Sequence, residues 1–98
     1  MSAPTKMRLL RRDGVIEVIV LVSHPMEQGN EPRGAGNFVE SLTFELNGTV
    51  VAVAHMGPGV APNPLTSIAL THAKPGDRVR VHWRDNHGES NYAEGPVR

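Results

Sequence analysis

The chain has 98 residues, a formal net charge of zero at pH 7 and no cysteine. A chain of this length forms one domain with one modest core, so we predict a single domain over residues 1–98. Balanced charge gives no electrostatic drive toward nucleic acid or an anionic membrane. The lack of cysteine excludes disulfides, thiolate metal sites and thiol nucleophiles. Apolar residues make up 39% of the chain, too few for a deep cofactor site, so we expect no cofactor.

Apolar and polar residues alternate over short runs, which are separated by clusters of Gly, Pro, Asn and Asp. This pattern is typical of antiparallel strands. We predict seven strands, with a long exposed loop after the second and a stiff, proline-rich loop after the fourth. The predicted strands are 7–10, 15–23, 38–46, 49–56, 65–72, 78–84 and 89–93, and the two loops are 24–36 and 57–64.

The predicted facing of the strands follows from this alternation. In the third strand we place Phe38, Leu42, Phe44 and Leu46 on one face and Val39, Ser41, Thr43 and Glu45 on the other. In the sixth strand we place Val79, Val81 and Trp83 inward. Asn47-Gly48 predicts a two-residue hairpin, because both central residues of a type I′ turn need positive φ. Seven strands at this spacing favour an all-β, immunoglobulin-like antiparallel β-sandwich over a closed barrel.

Charge is unevenly distributed along the chain. Four of the ten basic residues lie between Lys6 and Arg12, whereas no Lys, Arg, Asp or Glu occurs between Leu46 and Ala73. Depletion of charge marks the core of protein–protein interfaces, so we predict that part of this charge-free stretch contacts a partner. The candidate interface residues are His55, Met56, Gly57, Pro58, Gly59, Val60, Asn63 and Pro64.

Patterns for enzyme chemistry are weak. Among the five His residues, His82 and His87 come nearest to the spacing of metal ligands, on either side of a turn. No serine lies in a glycine-flanked elbow, and no glycine-rich segment precedes a helix that could hold phosphate. We therefore predict no catalytic residue and no metal site. Two alternatives stay open, a small His-dependent metalloprotein and a sandwich that binds an extended peptide at a sheet edge.

Five segments resemble, in order and spacing, the SoxZ family, the Z subunits of the sulfur-oxidation carrier complex. The resemblance extends over about two-thirds of the chain. The segments are Ser23-His24-Pro25-Met26-Glu27-Gln28-Gly29, Asn47-Gly48, Gly57-Pro58-Gly59-Val60-Ala61-Pro62-Asn63-Pro64, Ala73-Lys74-Pro75-Gly76-Asp77-Arg78-Val79 and Trp83-Arg84-Asp85-Asn86-His87-Gly88. The chain departs from the family at Ala61 and Pro62, where Ser and Lys are common.

The resemblance implies a non-catalytic subunit that pairs with a Y subunit. That partner carries the sulfur intermediate of thiosulfate oxidation on a cysteine in a flexible C-terminal arm, on which other sulfur-oxidation enzymes act transiently. The resemblance also implies a periplasmic location by co-export with a signal-bearing partner. In agreement, we expect no signal peptide and no membrane insertion from the polar N-terminus. The residues that we expect near the carrier arm are His24, Pro25, Met26, Asp85 and Asn86.

Overall fold

The structure is a computed structural model that describes residues 5–24, 27–28, 36–57 and 63–98. These residues contain seven long strands and a ladder of two very short ones. The strands are β1 (Thr5–Arg12), β2 (Val15–Val22), β3 (Glu27–Gln28), β4 (Gly36–Asn37), β5 (Val39–Leu46), β6 (Thr49–His55), β7 (Leu65–Leu70), β8 (Arg78–Asp85) and β9 (Ser90–Pro96). Within these ranges no helix has the length and hydropathy that a membrane crossing requires.

The long strands form two antiparallel sheets, one of three strands in the order β1-β2-β7 and one of four in the order β6-β5-β8-β9. The short strands β3 and β4 pair only with each other. The prediction of an all-β, immunoglobulin-like sandwich is confirmed. Because β1 lies beside β9, the other two edge strands, β6 and β7, both lie along the opposite side of the sandwich.

The hydrophobic core fills the space between the two sheets. Alternate residues of β2 and β8 are buried, and for β8 this is the facing that the alternation of apolar and polar residues predicts. The largest fully buried side chains are Trp83, Phe44, Ile16 and Leu42. Trp83 also links the sheets, because its indole N–H donates a 2.7 Å hydrogen bond to the hydroxyl of Thr5 in β1.

β5 contains a β-bulge that the alternation of its sequence does not reveal. Val39 and Ser41 pair with consecutive residues of β8, so Glu40 is an extra residue without a partner in the register. The extra residue shifts the alternation by one, and Val39 is therefore fully buried with Leu42 and Phe44. The prediction that Val39 faces away from these residues was wrong for this reason.

The turns and strand ends agree with the sequence only in part. The hairpin at Asn47-Gly48 is confirmed, and both residues have positive φ, 52° and 83°. The prediction of an exposed loop over 24–36 was wrong at His24, whose side chain is 3% exposed, and at residues 27–28 and 36, which belong to the ladder of β3 and β4. The rest of that loop lies outside the described residues. The first, fifth and last strands also have other bounds than predicted, since pairing with neighbouring strands decides where a ladder ends.

Thr5→Val tests the link between the sheets. The substitution keeps the shape of the side chain but leaves the buried indole N–H of Trp83 without its acceptor. We expect the free energy of unfolding to fall by about 1–3 kcal/mol in urea titrations. Thr49→Val, at the exposed start of β6, is the matched control and should change stability by less than about 0.5 kcal/mol. Equal effects of the two substitutions would contradict this role of the hydrogen bond.

Candidate functional site

The two sets of candidate residues meet at one end of the sandwich. Because neighbouring strands are antiparallel, the ends of β2, β6 and β8 and the starts of β5 and β7 lie together. We call this region the His24 end; its residues are 23–24, 36–38, 55–57, 63–64 and 85–89. Five candidate residues lie outside the described part of the chain: Pro25, Met26, Pro58, Gly59 and Val60.

A buried pair of polar side chains lies at the centre of the His24 end. His24 Nε2 and Asp85 Oδ2 are 2.9 Å apart, and the two side chains are only 3% and 2% exposed. The imidazole also packs edge-on against the ring of Trp83, with ring centroids 5.0 Å apart. His24 follows β2 in one sheet and Asp85 ends β8 in the other. The pair therefore bridges the two sheets.

Hydrogen bonds hold Asp85 as a carboxylate. Its Oδ1 accepts the backbone N–H groups of His87 at 2.9 Å and Glu89 at 2.8 Å. Burial by itself raises the pKa of Asp85, but the hydrogen bonds from His24, Glu89 and His87 outweigh it, and the net pKa lies below the ordinary value of 3.8. A carboxylate only accepts hydrogen bonds, so Nε2 of His24 carries the proton that they share.

Asn86 connects the turn after β8 to the start of β5. Its side-chain oxygen accepts the backbone N–H of Phe38 at 2.9 Å, and its amide donates to the carbonyl of Gly36 at 3.0 Å. The backbone N–H of Asn86 also donates to the carbonyl of Phe38. Nε2 of His87 lies 2.6 Å from the same Gly36 carbonyl. These bonds place residues 36–38 directly beside the His24–Asp85 pair.

The candidate interface begins at the end of β6. His55 is exposed, whereas Met56 is half-buried and packs against the core. The backbone N–H of Met56 donates to the carbonyl of Glu40, the bulged residue of β5. A side chain placed on Gly57 would meet no atom within 4 Å among the described residues. Of these three candidates, His55 and Gly57 thus offer accessible positions.

The far end of the candidate interface is held against β2. The backbone N–H of Asn63 donates to the carbonyl of His24 at 2.9 Å, and the carbonyl of Pro64 accepts the N–H of Val22 at 3.1 Å. Asn63 is exposed and has a φ of 54°, while Pro64 is buried. The role of these residues in binding a partner stays a prediction.

The charge-free stretch forms one whole side of the sandwich. It contains β6 and β7, the two edge strands that lie opposite β1 and β9; we call them together the charge-free side. Four of the large apolar side chains that are exposed belong to it: Val50, Val51, Val53 and Leu65, which is 69% exposed. Edge strands usually carry charges that block pairing with other chains. The charge-free side lacks that protection.

The two histidines of the metal alternative have separate partners. His82 lies on the outer face of β8, with Nε2 3.0 Å from Oε2 of Glu45, whereas His87 lies in the turn and contacts Gly36. In the part of the chain that the structure describes, no three His, Asp or Glu side chains are grouped so that they could hold a metal ion. The metalloprotein alternative therefore gains no geometric support.

The sequence-based prediction grouped His24, Asp85 and Asn86 near the carrier arm but missed that His24 and Asp85 form a buried pair. The only signal was a polar residue shortly after the apolar strand β2 and another at the end of the alternating strand β8, 61 positions apart. It also missed Asn37, whose side-chain oxygen is buried without a hydrogen-bond partner among the described residues. No local pattern marks this residue, because its burial depends on the ladder between β3 and β4.

Asp85→Asn tests the buried pair. The amide still accepts the two backbone N–H groups but loses the charge that His24 faces, and we expect the free energy of unfolding at pH 7 to fall by about 3 kcal/mol. Because folding lowers the pKa of Asp85, its stabilisation is complete above the ordinary value of 3.8 and is lost as the pH falls through the lower folded value. The difference between wild type and variant should therefore shrink below that pH.

Denaturant titrations from pH 7 to below 3.8 measure the loss of stability in Asp85→Asn and how that loss depends on pH. Asp13→Asn, in the exposed turn between β1 and β2, is the matched control and should change stability by less than about 0.5 kcal/mol. A difference between wild type and Asp85→Asn that stays constant down to low pH would contradict the lowered pKa.

The chain was compared with known proteins. The family model described as "Sulphur oxidation protein SoxZ" matches residues 6–96, a span that contains both groups of candidate residues and all of the strands except Thr5, the first residue of β1. No match was found among curated proteins. Because the matched span covers nearly all of the 98 residues, the chain belongs to the SoxZ family, whose members take part in sulfur oxidation.

Proposed function

We propose that this chain is the non-catalytic subunit of a carrier complex in thiosulfate oxidation. In this proposal it pairs with a Y subunit, which holds the sulfur intermediate on a cysteine of its C-terminal arm. The match to the SoxZ family over residues 6–96 carries the proposal. The composition agrees with it, since a chain without cysteine needs a partner to supply the thiol.

The charge-free side supports an obligate partner for this chain. Its two edge strands combine unpaired backbone groups with exposed valine and leucine side chains. Such strands associate with other chains unless something covers them. In this proposal the Y subunit contacts the candidate interface of residues 55–57 and 63–64, which lie at the end of β6 and just before β7.

The His24–Asp85 pair acts in this proposal as a structural support. Both side chains are almost fully buried, so a substrate in solution does not reach them. They hold the loops of the His24 end in place, and the carrier arm passes over those loops. The complex works in the periplasm, which this chain reaches by co-export with the Y subunit.

Native purification from the host tests the proposal. We expect the chain to elute with a second small subunit, and intact mass spectrometry of that subunit should show added sulfur on a cysteine near its C-terminus. Light scattering measures the stoichiometry of the complex. Elution as a bare monomer at all concentrations, with no such partner, would rule out the carrier function and favour the peptide-binding alternative.

Gly57→Asp tests the candidate interface without disturbing the fold. The new side chain meets no atom within 4 Å among the described residues, but it would place an unpaired charge in the contact with the Y subunit. We expect about tenfold or greater weakening of the complex by isothermal titration calorimetry. Gly57→Ala, which adds a methyl group but no charge, is the control and should bind within about twofold of wild type. Unchanged affinity of Gly57→Asp would exclude this position from the interface.

A further inference from the structure

β2 is apolar on both of its faces. Seven of its eight residues, VIEVIVLV, are apolar, whereas an antiparallel strand with one solvated face alternates between apolar and polar residues. Its inward residues are fully buried in the core. Its outward residues are Val15, Glu17, Ile19 and Leu21. A strand with this composition is typical of a sheet that is covered on both faces.

The neighbours of β2 continue this apolar surface. Cross-strand pairing aligns Leu21 with Leu65, and it places Leu10 and Ala69 on either side of Glu17. We call this surface the three-strand outer face. Its apolar residues are Leu10, Val15, Ile19, Leu21, Leu65 and Ala69. The most exposed of them, Leu65, directly follows residues 63–64 of the candidate interface.

Charge on the three-strand outer face is mostly basic, and the basic residues lie at one border. Lys6, Arg8 and Arg12 of β1 are exposed at one border of the face, and Glu17 is the single carboxylate on its strands. No ion pair joins these four side chains in the described part of the chain. The strand at the other border, β7, has no charged residue. A complementary surface is therefore apolar at its centre and acidic opposite β1.

We propose that the three-strand outer face is the main docking surface for the Y subunit, and this inference rests on the proposed function. The matching surface of the Y subunit then carries aliphatic side chains bordered by carboxylates. A second copy of this chain fits poorly. If two copies packed face to face about a two-fold axis, the basic strand β1 of one copy would lie opposite either β1 or the uncharged β7 of the other copy, and neither offers carboxylates. Like charges opposed at an interface reduce affinity.

The size of the face indicates how far the interface extends. Three strands spaced about 4.8 Å apart and some six residues long cover roughly 14 by 20 Å. A stable interface buries about 800 Å² on each partner, more than this area. The contact must therefore pass beyond the edge of the face. Leu65 connects it to Asn63 and Pro64 at the His24 end, so the two contact regions form one continuous surface.

Two changes on exposed positions test the proposal by titration calorimetry with the purified Y subunit. Leu65→Asp places a charge on the apolar, uncharged border strand β7, and Arg8→Glu combined with Arg12→Glu reverses the charge of the basic border. We expect each to weaken binding about tenfold or more, and the double variant to weaken it less at high salt, where charge is screened. The controls are Tyr92→Asp and Arg78→Glu combined with Arg84→Glu, all on the outer face of the four-stranded sheet, and both should bind like wild type.

The outcomes separate the inference from the proposed function. If wild type does not bind the Y subunit, both the inference and the proposed function are wrong. If wild type binds and the variants at Leu65, Arg8 and Arg12 bind equally well, the docking surface is wrong and the function stands. A homodimer in light scattering that Leu65→Asp abolishes would assign the face to a second copy. Sedimentation with phosphatidylglycerol vesicles that is lost on Arg8→Glu with Arg12→Glu would assign it to a membrane, and either result overturns the inference.

Discussion

The buried contact between His24 and Asp85 is the constraint on which the end of the sandwich depends. It joins the segment after β2 to the last residue of β8, a strand of the other sheet, and it lies against the central Trp83. A buried carboxylate is costly unless each of its oxygens is hydrogen-bonded, and here two backbone N–H groups and one imidazole supply those bonds. The loop geometry around the pair follows from this requirement.

The same pair explains how distant loops become neighbours. The carbonyl of His24 accepts the N–H of Asn63, and the turn after Asp85 is bonded through Asn86 to Gly36 and Phe38. Segments from four parts of the chain are therefore fixed around one polar centre. A fixed support of this kind is suited to presenting loops to a partner, because little conformational entropy remains to be lost on binding.

The surface of the sandwich is asymmetric in charge and in hydrophobicity. The four-stranded sheet carries arginines and histidines on its outer face, with partners such as Glu45, Glu94 and Tyr92. The three-stranded sheet instead exposes aliphatic residues beside unpaired basic ones, and both edges of the charge-free side are unprotected. The paired polar surface of the four-stranded sheet is stable in water, whereas the exposed aliphatic surface of the three-stranded sheet is stabilised when a partner covers it. This asymmetry agrees with a subunit that works in a complex.

The sequence by itself determined the all-β class, the hairpin at Asn47-Gly48 and the inward face of β8, because alternation and turn chemistry are local properties. It also indicated family membership and the charge-free stretch. Only the tertiary structure decided that Val39 is buried, because a bulge at Glu40 arises from pairing with β8. The tertiary structure alone also brought His24 to Asp85, since a contact across 61 positions depends on how two sheets pack and leaves no periodic signal in the chain.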